Sequence, residues 1–311
     1  MSEKKLSTFS RYAWFAVAFN LIVILWGVFL RASYSGDGCG QHWLTCRGEA
    51  IPSAPELKTV IEFSHRLTTA LAGIVVLVLA GWAFRKFKRG NRIRTFAMLA
   101  LLFIIVEGAI GGGLVLTGNT AANWTLSRPF WAAGHLINTF VLLAFLTLTA
   151  WSASRKSSDF SPLVNREIAL VLIGAAVIVF VGITGSMAAL TNMLFPSGTL
   201  TEGIAKDFDP DSHILLRLRI LHPILSILSA VFLIFLADKL KRMASGSAIT
   251  ATWARNLSLL VLMQIFFGAA TLLMLAPIVM QLGHLLQADL VWISYVLLGA
   301  NFVFRDRDED M

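Results

Sequence analysis

Long apolar stretches separated by short polar segments run along the whole 311-residue chain. A helix that crosses a bilayer needs roughly 20 predominantly apolar residues, and eight stretches approach or exceed that length. Membrane β-barrels have short alternating segments instead, so the pattern predicts an all-α membrane protein with eight transmembrane helices. The predicted spans cover about residues 12–31, 64–84, 95–117, 129–151, 167–190, 214–237, 254–276 and 279–303.

The composition agrees with this pattern. Hydrophobic residues make up 57% of the chain, charged residues only 14%, and the mean hydropathy is +0.73; an ordinary soluble domain is about 25% charged. The net charge of +8 could indicate a nucleic-acid partner. The basic residues cluster in short loops between apolar stretches, however, so we interpret them as topology signals and expect no nucleic-acid binding.

The basic residues also predict an orientation. Most of the 26 lysines and arginines lie before the first span, after the even-numbered spans or in the C-terminal tail. The positive-inside rule therefore predicts cytoplasmic N and C termini. The loops 32–63, 118–128 and 191–213 would then face outward. The segment before the first span does not read as a transit peptide, and we expect no cleaved signal. We expect a multi-pass protein of the plasma membrane.

The chain repeats itself. "GHLINTFVLLAF" at 134–145 resembles "GHLLQADLVWIS" at 283–294, and His65 and His222 are separated by the same interval as Gly111 and Gly268. We predict two pseudo-symmetric four-helix bundles. Each has an even number of spans, so both insert the same way up and are related by an axis along the membrane normal. The two halves are residues 1–156 and 157–311.

Four histidines open the even-numbered spans, one or two turns inside the predicted outer surface. They are His65, His135, His222 and His284. A single histidine near a helix end is usually just hydrogen-bonded, but polar groups at repeat-related positions inside a membrane indicate function. Two histidines on two helices of one bundle can ligate a haem iron between them. Each half is therefore predicted to hold one haem.

Small residues on spans three and seven would leave room for a haem macrocycle. These residues are Gly108, Gly111, Gly112, Gly113, Gly268, Ala269 and Ala270. Glu107 on span three matches Gln264 on span seven, and it could hydrogen-bond across helices or relay protons. A metal-ion transporter could also use histidines, but it would carry acidic residues near mid-membrane, where Glu107 is the only clear candidate.

Several motifs together resemble the haem A synthase family. They are "EFSHRL" at the start of span two, the "GH" openings of spans four and eight, the duplicated halves and "GDGCGQHWLTC" at 36–46. The similarity covers essentially the whole chain. It implies an enzyme that oxidises a methyl group of haem O to a formyl group by successive hydroxylations.

The resemblance also implies roles for individual residues. The substrate haem would be framed by His65 and His135, with Arg66 at its outer rim, and haem b iron would be ligated by His222 and His284. Glu62 would be the catalytic acid/base or would stabilise developing charge near the reacting methyl. The alternative for Glu62 is an ion pair with Arg66 alone.

Cys39 and Cys46 lie in the first outward loop and could form a disulfide. Their disulfide would be either a structural staple for the loop over the site or a redox-active pair. The second half has no cysteine in the matching loop 191–213, and the polar segment 197–213 suggests no role.

A two-haem membrane cytochrome b, passing electrons between a quinone and an outer partner, is the alternative function. It would use the four histidines in the same way. Glu62 and the cysteine pair favour the enzyme, because a simple electron carrier needs neither. The expected partners are haem O, a haem O synthase and membrane lipid; the electron acceptor stays open.

Overall fold

The computed structural model describes residues 6–121, 123–155, 165–244 and 246–304. Ten α-helices account for most of these residues. They are α1 Thr8–Ala32, α2 Leu57–Lys86, α3 Arg92–Leu116, α4 Arg128–Ala153, α5 Asn165–Leu194, α6 Leu200–Phe208, α7 Ile214–Arg219, α8 Leu221–Met243, α9 Ala248–Leu273 and α10 Ile278–Val303.

Eight helical segments within the described ranges are long and apolar enough to cross a membrane. Seven of these segments are single helices. The remaining segment, Ile214–Met243, is the sixth in chain order and contains both α7 and α8. This confirms the prediction of an all-α, multi-pass membrane protein with eight spans. The second span begins at Leu57 rather than at residue 64, and Thr59, Glu62 and Arg66 in its first turns are hydrogen-bonded within the protein.

Helices α4 and α10 form the centre of the molecule. Helices α1 to α4 pack against one another, as do α5, α8, α9 and α10, and α10 also packs against α1 and α4. Most of α10 and more than half of α4 are buried, whereas no more than about a third of any other span is buried. The pseudo-symmetry stays a prediction, and its boundary between residues 156 and 157 lies outside the described ranges, as do both termini.

Aromatic contacts join α4 to α10. The indole of Trp292 donates a hydrogen bond to the Phe140 carbonyl at 2.7 Å and stacks on the Phe140 ring with centroids 5.2 Å apart. Tyr295, one turn further along α10, donates to the Val171 carbonyl on α5. A Cβ at position 174 would overlap the Tyr295 hydroxyl, so only glycine allows α5 this close.

The segment 197–213, for which the sequence suggested no role, contains the short helix α6. Thr199 accepts a hydrogen bond from the Glu202 backbone, and the Glu202 carboxylate accepts one from the Gly198 backbone at 2.8 Å. This reciprocal arrangement resembles a capping box, which the residues "TLTE" could have predicted. Arg219 then ties α6 to α7 through an ion pair with Asp207 at 2.6 Å.

Candidate functional site

The cysteine loop lies directly on the start of α2. Cys39 and Cys46 form a disulfide, which confirms that pairing. A Cβ at position 38 would overlap the Lys58 carbonyl group, so the backbone approaches α2 as closely as glycine permits. The Thr59 hydroxyl donates to the Gly38 carbonyl at 2.8 Å and fixes this contact.

Glu62 is buried beneath this loop, with only 3% of the residue exposed. One carboxylate oxygen accepts a hydrogen bond from the Cys39 backbone N–H at 2.8 Å. The other accepts from Arg66, whose Nε lies 3.0 Å away. Burial of a carboxylate is costly unless it is paired and hydrogen-bonded, and both conditions are met here.

Arg66 connects Glu62 to the tip of the cysteine loop. Its Nη1 donates to the carbonyls of His42 at 2.6 Å and Thr45 at 2.8 Å. Its Nε and Nη2 donate to Glu62. Four of the five guanidinium N–H donors are thus used within the protein. The ion pair named as the alternative for Glu62 is therefore present, and Arg66 has one N–H donor left for another group.

The residues of the first predicted histidine pair are His65 on α2 and His135 on α4. A Cβ at position 27 of α1 would lie 2.8 Å from His65 Nε2, so glycine at this position makes room for the imidazole. His135 Nδ1 lies 2.9 Å from a carboxylate oxygen of Glu107 on α3. Glu107 therefore does hydrogen-bond across helices.

The second pair, His222 on α8 and His284 on α10, has ring centroids 6.4 Å apart and planes at 80°. A metal bound by two imidazole nitrogens at about 2 Å from each would place the ring centroids about 6.3 Å apart. The observed separation equals the spacing of two imidazoles that would hold one iron between them. In this respect the two histidines fit a haem.

Hydrogen bonding involves only one ring nitrogen of His222 among the described contacts. The Thr184 hydroxyl donates to the Val181 carbonyl at 2.8 Å and lies 3.0 Å from His222 Nδ1. Because its only hydrogen is already used, Thr184 accepts from Nδ1–H, and Nε2 keeps a free lone pair. Nothing in the sequence indicated Thr184, since hydroxyls are common in membrane helices. A Cβ at position 185 would lie 2.9 Å from the His222 ring.

The glycines of α3 only partly match the prediction that they admit a macrocycle. Cβ atoms at positions 108 and 111 would meet nothing within 4 Å, which is open space. Cβ atoms at positions 112 and 113 would overlap the rings of Trp43 and Trp131. These two glycines accommodate indoles instead. Trp43, at the tip of the cysteine loop, therefore packs against α3. The sequence did not reveal this contact.

Comparison with known proteins identifies the family. Residues 10–296 match the COX15-CtaA family, described as cytochrome oxidase assembly protein. The chain belongs to this family. This confirms the resemblance inferred from the sequence, since several proteins named "Heme A synthase" are also similar to the chain.

Two relatives show how far the similarity extends. The "Heme A synthase" of Halalkalibacterium halodurans is 40% identical over 126 residues, 40% of this chain and 42% of that protein. A "Protoheme IX farnesyltransferase" of Thermus thermophilus is 40% identical over 303 residues, 96% of this chain and 49% of that protein. The chain thus spans about half the length of the curated relatives it matches.

Proposed function

We propose that this chain is a haem A synthase, which oxidises a methyl group of haem O to the formyl group of haem A. Family membership and the relatives named "Heme A synthase" support this activity. The structural observation that carries it is the buried carboxylate of Glu62, less than one helical turn from His65 at the first histidine pair. Membrane proteins rarely bury such a group without a function.

In this proposal His65 and His135 hold the substrate haem, with Arg66 at its rim. Glu62 is the acid/base that moves a proton near the reacting methyl, or it stabilises charge that develops there. Two successive hydroxylations each replace a C–H bond of the methyl carbon by a C–OH bond. With water as the source of the oxygen, each one releases two protons and two electrons, and the electrons pass to an acceptor outside the chain. Loss of water from the resulting diol leaves the formyl group.

The second pair has a different task in the proposal. His222 and His284 ligate the iron of haem b, and their 6.4 Å separation supports this. Two imidazole ligands favour a low-spin iron that exchanges single electrons. Thr184 keeps the His222 ring in the tautomer that this ligation requires.

The proposed setting is the plasma membrane, with the histidine sites near its outer face, both termini in the cytoplasm and each half a four-helix bundle. A protoheme IX farnesyltransferase, the haem O synthase, is the proposed partner. The Thermus thermophilus relatives of that name support it, because they contain a region similar to nearly this whole chain within a longer protein.

A two-haem membrane cytochrome b is the second candidate. The observation that favours it is the same His222–His284 geometry, which suits electron transfer without any chemistry on a substrate. Glu62 separates the two candidates, since a cytochrome b has no use for a buried carboxylate beside its first haem.

Haem extraction tests the proposal. The chain is produced together with a haem O synthase in a host that lacks its own haem A pathway, and extracted haems are separated by chromatography. Haem A or its hydroxylated precursor is the expected product. Haem O and haem b alone, from a folded and haem-loaded protein supplied with an electron acceptor, would favour the cytochrome and contradict the synthase.

A further inference from the structure

The two halves differ in the residue that contacts one histidine of each pair. On α3, Glu107 contacts His135, the first-half histidine on α4. On α9, Gln264 lies 3.5 Å from His284, the corresponding histidine on α10. One histidine therefore has a carboxylate partner and the other a neutral amide, although the sequences around them repeat.

The carboxylate of Glu107 is surrounded by donors. His135 Nδ1 and the Thr139 hydroxyl contact one oxygen, and the Asn138 amide contacts the other. The second hydrogen of that amide goes to the Phe103 carbonyl at 2.8 Å, so Asn138 presents its N–H side to Glu107. An ionised carboxylate only accepts hydrogen bonds. With Thr139 and Asn138 donating to the same carboxylate, the contact assigns Nδ1 of His135 as a donor to Glu107, and Nε2 takes no part in it.

The second half has no equivalent arrangement among the residues that the structure describes. Gln264 Nε2 and His284 Nε2 form only a long contact of 3.5 Å. Gln264 Oε1 and His284 Nδ1 are both buried without a hydrogen-bond partner among the described residues. The tautomer of His284 is therefore not fixed by a neighbouring acceptor, as that of His135 is.

We infer that Glu107 is a positioning residue which orients His135 and strengthens it as a ligand of the substrate haem, and that Gln264 leaves His284 a weaker ligand of the second haem. A carboxylate that accepts the outer N–H of a ligating histidine fixes the ring and makes the ligating nitrogen more basic. The inference rests on the proposed function, because it takes His135 as a haem ligand. It assigns the two halves different ligand strengths despite their similar histidines.

Glu107→Gln is the direct test, because it keeps the shape of the side chain and replaces the carboxylate by an amide. Purified protein in detergent is titrated with haem O, and binding is followed by the Soret band and the low-spin ferric electron paramagnetic resonance signal. Loss of such an outer partner typically weakens metal binding about 10- to 100-fold. We expect at least about tenfold weaker haem O binding and a changed low-spin signal, with the second-half haem unaffected.

Two further variants provide a reciprocal exchange and a control. Gln264→Glu introduces the first-half arrangement into the second half, where we expect an altered second-half haem signal and unchanged haem O binding. If Glu107→Gln fails to fold, Gln264→Glu still tests the inference through the second-half haem signal. Thr149→Val is the control: it removes a buried hydroxyl of the same helix that donates to the Phe145 carbonyl, about four turns beyond His135, and it should bind haem O almost as the unmodified chain does.

The outcomes separate this inference from the proposed function. Weakened haem O binding in Glu107→Gln but not in Thr149→Val supports the inference. Equal affinity and an identical low-spin signal in Glu107→Gln and the unmodified chain would overturn it while leaving the synthase intact. Failure of the unmodified, folded chain to bind haem O would overturn both.

Discussion

The backbone N–H of Cys39 donates a 2.8 Å hydrogen bond to the carboxylate of Glu62. The proposed catalytic group and the disulfide loop are therefore one connected unit. Arg66 closes this unit by binding Glu62 on one side and two carbonyls of the loop on the other. Any change that loosens the loop should also disturb the carboxylate.

The first prediction concerns the disulfide. In the chain-entropy description, closing a loop of this size stabilises it by about 2.5 kcal/mol. The double variant Cys39→Ser/Cys46→Ser should therefore keep its fold and its second-half haem but lose most haem A production, because the Cys39 N–H no longer holds Glu62. Product analysis and the haem spectrum of the purified variant provide the measurement.

Reduction of the disulfide is a second way to test this prediction. Mild reduction of the unmodified protein should lower activity to about the level of the double variant, because both treatments open the disulfide. Full haem A production by the double variant would show that the loop holds Glu62 without the disulfide.

The second prediction concerns Glu62 itself. General acid–base groups typically contribute about 100-fold or more to a rate. Glu62→Ala should lower haem A formation by at least this factor while haem b stays bound, because Glu62 lies at the other histidine pair. Extracted haems and the spectrum of the purified protein are the two measurements. Normal haem A yield from this variant would remove Glu62 from the mechanism.

Arg66→Lys is a useful companion to Glu62→Ala. Lysine keeps the charge but cannot make the forked contacts of the guanidinium. If Glu62 acts only through its ion pair with Arg66, the two variants should be equally impaired. If Glu62 acts on the substrate, Arg66→Lys should retain measurable product.

The third prediction concerns the second pair. His222→Ala removes one of two rings whose centroids are 6.4 Å apart, so the low-spin b-type spectrum should be lost. His213→Ala is a suitable control, because His213 packs between Trp124 and Phe195 rather than against either histidine pair. An unchanged b-type spectrum in His222→Ala would mean that this haem has other ligands.

The eight spans could be predicted because each must cover the membrane with apolar side chains, and this leaves a long, unambiguous pattern. The start of α2 could not, since Glu62 lies in the predicted outer loop 32–63 as long as its partners are unknown. Cys39, which supplies one partner, is distant in sequence, and nothing local indicates the contact.

The repetition in the sequence singles out the four histidines, but it does not predict their surroundings. Gly112 was expected to face a macrocycle, and it faces the ring of Trp43 from the cysteine loop. Such contacts depend on how a loop folds back onto a helix, which apolar periodicity does not encode. Glu107 was noticed because Gln264 stands at the matching position, but only the three-dimensional arrangement shows that it contacts His135.

The fourth prediction uses the glycines that face the histidines. A Cβ at position 27 would lie 2.8 Å from His65, and one at position 185 would lie 2.9 Å from His222. In each case the imidazole must move, and a shifted ligand binds iron poorly. Gly27→Ala should therefore weaken haem O binding and leave the b-type spectrum intact, whereas Gly185→Ala should alter that spectrum.

Gly73→Ala is the matched control for both alanine variants. It lies in α2, and a Cβ there would meet nothing within 4 Å. Alanine favours a helix over glycine by about 1 kcal/mol, so this variant should be at least as stable as the unmodified chain and bind both haems normally. Haem O titration and absorption spectra of the three variants provide the comparison. If Gly27→Ala binds haem O as Gly73→Ala does, the position of the His65 ring does not limit substrate binding.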